Sequence, residues 1–166
     1  MNKEWESIKK LALDATKILL ISILFEFLAK FEETGDGTLL GFCVLGGIFS
    51  EGIDLTEDKL IGAIIVGTGL PQVCFERELL KEYFDNRGQN GFDYAYRYPG
   101  MNKVLQAGGR VIRTTEDVGM IALLDERFLD ISYKKMFPKE WEHFQVATIS
   151  DCQRILKDFW DGFTLV

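Results

Sequence analysis

The chain has 166 residues, 47% hydrophobic and 27% charged, which suits one globular domain with a sizeable core and excludes wholesale disorder. Its formal net charge of −7 argues against broad nonspecific nucleic-acid binding by this piece alone, although a local basic stripe is still compatible with it. Three cysteines, Cys43, Cys74 and Cys152, lack any CxxC spacing, so they read as small hydrophobes in a reducing cytoplasm, and no metal site is legible.

In chain order, Trp5, Ile8, Leu11, Ala12, Ala15 and Leu19 recur at helical spacing and predict an amphipathic helix over 3–16, with Asn2 as its cap. Residues 18–25, ILLISILF, are strongly apolar but far shorter than the roughly 20 residues a bilayer span needs. Glu4, Glu6 and Asp14 precede them, unlike the basic start of a signal peptide, so they predict a buried strand over 18–23 and no membrane segment. A short helix is expected over 25–33, closed by the turn Gly35-Asp36-Gly37. Residues 38–45, TLLGFCVL, and 61–66, IGAIIV, are apolar at consecutive positions, as in strands covered on both faces of a parallel sheet.

A helix over 76–84 follows, then a polar loop through Gly91, then two helices flanking Pro99. GMIALL, 119–124, is a further buried strand, and Ser150 with Gln153 predicts a capping box opening a last helix to about Trp160. His143 reads as a surface or packing residue rather than a ligand. Buried strands alternating with helices predict one α/β domain with a mainly parallel sheet.

Ligands gather at the carboxyl ends of strands in such sheets. The loop after 38–45 runs Gly46-Gly47-Ile48-Phe49-Ser50-Glu51-Gly52-Ile53-Asp54. Its glycines admit close approach, and its hydroxyl and carboxylates suit a ribose, a backbone phosphate or waters around a metal; equally, it reads as a glycine-rich crossover with solvated acids. The loop Gly67-Thr68-Gly69-Leu70-Pro71-Gln72 superficially suggests a dinucleotide fingerprint, but GxGxxG fails at Gln72 and no acidic residue ends a second strand.

QAGGRVIRT, 106–114, places two glycines side by side in a segment read as helical, each costing about 1 kcal/mol against alanine. At about 100° per residue, Gln106, Arg110 and Arg113 fall within roughly 60° of arc on one face, while Gly108 and Gly109 lie elsewhere and let the helix pack close. Two guanidiniums and an amide on one face suit the equatorial oxygens of a transferring phosphoryl group; a solvated basic face is the alternative.

Gln106-Ala107-Gly108-Gly109-Arg110-Val111-Ile112-Arg113 resembles motif VI (QxxGRxxR) of superfamily 2 helicases, and Phe49-Ser50-Glu51-Gly52-Ile53-Asp54 resembles their motif V. Leu124-Asp125-Glu126-Arg127-Phe128 resembles the D-x-R-[FY] segment of the XPD/DinG group, as does Gly69-Leu70-Pro71 after the preceding strand. These landmarks stand in the family's order over about 38–141, so the chain is similar to the second RecA-like domain of an XPD/DinG-type DNA helicase.

The resemblance implies a three-layer α/β/α RecA-like fold, with motif V at 46–54, motif VI at 106–113 and residues 1–24 atypical. It implies Gln106, Arg110 and Arg113 as catalytic residues facing a nucleotide, with Arg113 as arginine finger. Glu51, Gly52, Asp54 and Gly109 would lie at the nucleotide, and Ser50, Gly69 and Gln72 nearer single-stranded DNA. GxxxxGK[ST], a DEAH-like box and a four-cysteine cluster are missing from the sequence; they belong to the family's first half. The stretch before Phe25 is also shorter than a complete second domain should need.

The chain therefore reads as a fragment or remnant of a cytoplasmic DNA-repair helicase of 5′→3′ polarity, using ATP and Mg²⁺ only together with a first helicase domain. By itself it should be inactive, bind single-stranded DNA weakly, and be a monomer or weak dimer. The competing reading is a noncatalytic module that docks on a partner. A small-molecule enzyme finds no support, since no nucleophile, base and orienter set is visible.

Overall fold

Two apolar pentapeptides make the sheet. β1 (Gly62–Val66, GAIIV) and β2 (Met120–Leu124, MIALL) pair in parallel, from Gly62 opposite Met120 to Val66 opposite Leu124. A parallel pair needs a long crossover, and the 53 residues between these strands, 67–119, carry two helices. The computed structural model describes residues 29–30, 39–47, 60–115 and 117–163. It divides into two compact units, Met1–Asp130 and Ile131–Val166.

Helices beside a parallel sheet make the chain α/β, as its sequence pattern predicts. Both strands begin one residue later than read from the sequence, and α1 (Phe75–Asp85) extends one residue beyond each predicted end. Glu76 and Glu78 occupy the first turn of α1, where carboxylates complement the helix dipole.

Several expectations are corrected. Residues 39–44 form no strand, and Leu40, Phe42 and Val44 are exposed: an apolar run becomes a strand only where a ladder partner meets it, and β1 pairs with β2. Nor is β1 covered on both faces. Ile65 is buried, whereas Ile64 and Val66, pointing the other way, are exposed. Cys43, Cys74 and Cys152 are all exposed and free rather than buried hydrophobes, because the segments that carry them lie at the surface. The helix predicted over 3–16, the strand over 18–23 and the turn 35–37 lie outside the described residues; of the helix predicted over 25–33, Ala29 and Lys30 are described and helical.

Pro99 does not separate two helices. A π-helical segment (Asp93–Arg97) runs directly into α2 (Tyr98–Gly108), with Pro99 in its first turn. Proline lacks an N–H and its ring crowds the carbonyl four residues back, so the wider π turn admits it: the Tyr98 N–H reaches the Asp93 carbonyl, five residues back. The Ala95 carbonyl, left without the amide of residue 99, accepts from Arg77 Nη1 of α1 at 2.7 Å. Tyr96 Oη donates to Glu78 on the same helix, and this bond pushes the Tyr96 phenol up to about 12. Phe84 stacks on Tyr94 with centroids 3.8 Å apart. Met101 and Val104 of α2 are buried, and α2 packs on β1.

In the second unit, α3 (Ile131–Lys134) and a 3-10 turn (Lys139–Trp141) frame edge-on contacts of Phe137 with Trp141 and Phe144. α4 (Ile149–Phe163) is opened by Thr148 and Asp151, not by Ser150 and Gln153. The Thr148 N–H donates to Asp151 Oδ2, and the Asp151 N–H to the Thr148 carbonyl. The capping pattern therefore sits two residues earlier, where the hydroxyl precedes the first helical amides. Among the described residues no helix is long and apolar enough to cross a membrane.

Candidate functional site

The carboxyl ends of β1 and β2 lie side by side, where an α/β sheet presents its ligand site. The Gly67 N–H donates to the Leu124 carbonyl at 3.3 Å, tying the loop after β1 to the end of β2. Glycines then bring three segments into contact. A Cβ on Gly100 of α2 would lie 2.6 Å from the Thr68 carbonyl and 3.1 Å from Leu70 N. A Cβ on Gly69, whose φ is +65°, would lie 2.8 Å from the Gly100 carbonyl and 3.0 Å from Leu45 Cδ2. A Cβ on Gly46, at φ +78°, would meet Lys103 Cδ at 2.7 Å and Cε at 2.8 Å. Thus the loop 67–70, the turn at 44–47 and the first half of α2 abut, and the two positive-φ glycines also suit backbone that other residues rarely adopt.

Within this cluster Thr68 is 1% exposed, and its Oγ1 has no hydrogen-bond partner. Gln72, at the far end of the loop, is exposed.

The QAGGRVIRT segment is corrected. α2 ends at Gly108, so Gln106, Arg110 and Arg113 do not share a helix face. The chain tightens instead: Arg110 N bonds the Ala107 carbonyl and Val111 N the Gly108 carbonyl, each three residues back. Gly108-Gly109 makes helix expensive there, and a competing acceptor ends it. Asp117 Oδ2 takes the N–H of Arg113 at 2.8 Å and of Thr114 at 2.7 Å. These backbone bonds, Arg113 first, hold the Asp117 carboxyl below its ordinary value. Val111 is buried and anchors the turn, filling space left by Gly119, whose Cβ would lie 2.4 Å from Val111 Cγ1. Arg110 and Arg113 flank that anchor half-buried, and Gln106 is exposed on the last turn of α2.

The expected close-packing role of Gly109 is also corrected. It is exposed, and a Cβ there would meet its own helix at the Leu105 carbonyl, 3.2 Å away; it is the helix C-cap. Gly108 is the buried one of the pair.

Residues 22–144 match the helicase C-terminal domain family. The chain belongs to that family. The domain is 32% identical over 161 residues to a regulator of telomere elongation helicase 1 homolog of Caenorhabditis briggsae, covering 90% of this chain and 15% of that protein. It is 37% identical over 91 residues to the ATP-dependent DNA helicase DinG of Photobacterium profundum, covering 54% and 13%. A probable ATP-dependent helicase of Methanocaldococcus jannaschii is 26% identical over 149 residues, covering 83% and 22%. The helicase C-terminal domain is therefore of XPD/DinG type, and it spans less than a quarter of the length of each of these relatives.

Of the stretch 46–54, whose sequence resembles motif V, Gly46 and Gly47 are described; Ser50, Glu51, Gly52 and Asp54 lie outside the described residues. The D-x-R-F segment is a structural device at the end of β2. Arg127 Nε and Nη2 donate to Asp125 Oδ1 and Oδ2 at 2.9 and 2.7 Å, Asp125 caps the 3-10 turn Glu126–Leu129, and Phe128 is buried. Arg127 in turn holds the Asp125 carboxyl below its ordinary value. Among the described residues no group of His, Cys, Asp or Glu could hold a metal ion.

Two residues of this helicase domain escape sequence reading. Asp117 fixes the backbone at Arg113, and its signal is the Thr114-x-x-Asp117 spacing of a capping box, here without a helix to follow. Lys103 on Gly46 left no local signal at all, since it joins segments 57 positions apart.

Proposed function

We propose that this domain is the second motor domain of an ATP-dependent DNA helicase, XPD/DinG-like, working 5′→3′ in cytoplasmic DNA repair. The observation that supports the reading is that the Gly46 turn lies against Lys103 of α2, the helix whose end carries Gln106 and leads into the Arg110–Arg113 turn. Arg110 and Arg113, half-buried around Val111, fit the oxygens of a polyphosphate. In this reading Mg²⁺ is held with ATP by a first helicase domain.

ATP held with Mg²⁺ by that partner domain supplies the phosphoryl group. This chain's own residues then act at the closed cleft. Arg113 presents the finger, Arg110 a second guanidinium, and Gln106 an amide to water or oxygen. Glu51, Gly52, Asp54 and Gly109 line the nucleotide side; Ser50, Gly69 and Gln72 line the strand of DNA. Closure brings the arginines up and opening withdraws them, coupling hydrolysis to a step along DNA.

The test restores a first domain carrying a Walker A loop, by fusion or in trans. The isolated chain should show no ATPase. In the restored motor, Arg113→Ala should lower turnover by about 10³-fold or more with ATP affinity little changed, and Arg113→Lys should rescue poorly. Turnover indifferent to Arg113→Ala sinks the finger assignment. The charge of −7 favours a second reading, a noncatalytic module docked on a partner. A correctly folded fusion that binds ATP but never turns it over would select that reading.

A further inference from the structure

We propose that the Asn90–Gly91 junction is a site of spontaneous modification, deamidation through a cyclic imide, and that the Asp85 carboxylate guards it while α1 stays in contact with the start of the next helix. Two observations carry it. The first is why these residues stand together. Gly91 and Phe92 are helical and lead into the π-helical segment, and Asn90 precedes them. The Asp93 N–H donates to the Asn90 carbonyl at 3.0 Å, so asparagine stands where a helix opens, a place it favours. Gly91 is buried against α1. A Cβ there would collide with the Lys81 carbonyl and lie 2.7 Å from Asp85 Oδ1, so no side chain fits unless α1 moves. Each residue answers a local need, and their adjacency makes a labile pair. Asparagine is thermally labile, and glycine leaves its own peptide nitrogen unshielded.

The second observation is what holds the attacking nitrogen. In the reaction the Gly91 nitrogen bonds to Asn90 Cγ and gives up its proton, and the side-chain nitrogen leaves as ammonia. Water then opens the imide at either carbonyl, leaving aspartate or isoaspartate, the latter with an extra carbon in the main chain. In the fold, the Gly91 N–H donates to Asp85 Oδ1 at 2.7 Å, and Lys81 Nζ donates to Oδ2 at 2.8 Å. Lys81 first, then the Gly91 amide, hold the Asp85 carboxyl below its ordinary value, so it is ionised at neutral pH. A hydrogen bond to the protonated nitrogen and a negative charge beside it both disfavour the nitrogen anion that attacks.

Asn90 is exposed, so water reaches the junction, and the Asp85 contact is what restrains it. An extra main-chain carbon at position 90 shifts Gly91 from a seat that has no room for a Cβ. The product therefore records each opening of α1 from the start of the next helix.

The test ages the full chain, folded and in urea, at one pH and temperature, and follows each asparagine by peptide mass spectrometry with isoaspartate resolved by chromatography. In urea, Asn90 should convert faster than Asn86 and Asn102, which precede Arg87 and Lys103. In the folded parent, conversion at Asn90 should fall by about tenfold or more, the share of a hydrogen bond to a charged group. Folded Asp85→Ala should regain most of the urea rate. Asp85→Asn, which keeps an acceptor without the charge, should lie between. Circular dichroism establishes that each variant is folded; if Asp85→Ala is not, Asp85→Asn decides. An Asn90 in urea no faster than Asn86 and Asn102 overturns the site. Equal rates for the folded and urea-treated parent, or folded Asp85 variants no faster than the parent, overturn the guard.

Discussion

Arg77 Nη1 donates at 2.7 Å to the carbonyl of Ala95, the residue four before Pro99. A proline has no amide for that carbonyl, and Ala95 is fully buried, so the guanidinium of α1 stands in for the missing donor. One side chain thus lets an imide interrupt the ladder at the entrance to α2, the helix that carries Lys103 and Gln106. Arg77→Ala should cost about 1–3 kcal/mol, the penalty of a buried acceptor left unmet. Pro99→Ala in the same chain should recover part of it by returning an amide. A double-mutant cycle followed by urea unfolding measures the coupling; strictly additive effects would show that the two residues act independently.

Gly100 and Gly109 should respond differently to the same change. Alanine ordinarily strengthens a helix by about 1 kcal/mol over glycine. At Gly100 the new methyl would stand 2.6 Å from the Thr68 carbonyl and 3.1 Å from Gly69 C, both backbone atoms. Gly100→Ala should therefore destabilise the domain, by about 1–3 kcal/mol as overpacking does. Gly109 is exposed at φ −67°, an ordinary right-handed conformation, and Gly109→Ala should stay within about 0.5 kcal/mol of the parent. Thermal unfolding of the two variants side by side gives the comparison, and equal effects would mean that α2 does not rest on the 67–70 loop.

Thr68 carries a buried hydroxyl with no acceptor or donor. Thr68→Val keeps the shape and removes the unmet group, so the unfolding midpoint in urea should rise or stay level. A loss beyond about 1 kcal/mol would reveal a partner for Oγ1 in solution.

Asp117 receives the amides of Arg113 and Thr114, and its carboxyl titrates below the ordinary aspartate value. A depressed folded value means that the ionised form favours the fold. The contribution is complete above the unfolded value, about 3.9, and disappears as pH falls through the lower folded one. The amide resonances of Arg113 and Thr114 should hold their positions through ordinary carboxylate titration and move only at more acid pH. Asp117→Asn should abolish that late inflection. Resonances moving with an ordinary aspartate midpoint would show that the carboxylate does not hold the turn.

Much of this protein is legible in one dimension. GAIIV and MIALL announce strands by their apolar runs, although β1 is covered on one face only, and α1 follows from its periodicity. The QAGGRVIR, FSEGID and DERF strings carry the family, since each is a local run of residue types. What the order of residues determined was therefore local: strand character, helix character and motif identity.

Only the tertiary structure decided the rest, and each time a distant group outbid a local preference. The helix through QAGGRVIR stops at Gly108, where two glycines weaken it, and Asp117 takes the amides of Arg113 and Thr114 further on. Pro99 continues a helix rather than dividing two because Arg77, 22 positions earlier, satisfies the carbonyl it strands. The apolar run at 39–44 is no strand because a strand needs a neighbour's backbone as well as its own side chains. Lys103 meets Gly46 because two segments 57 positions apart fold together. Hydrogen-bond partners and close contacts between remote segments are properties of the folded chain, and no local pattern contains them.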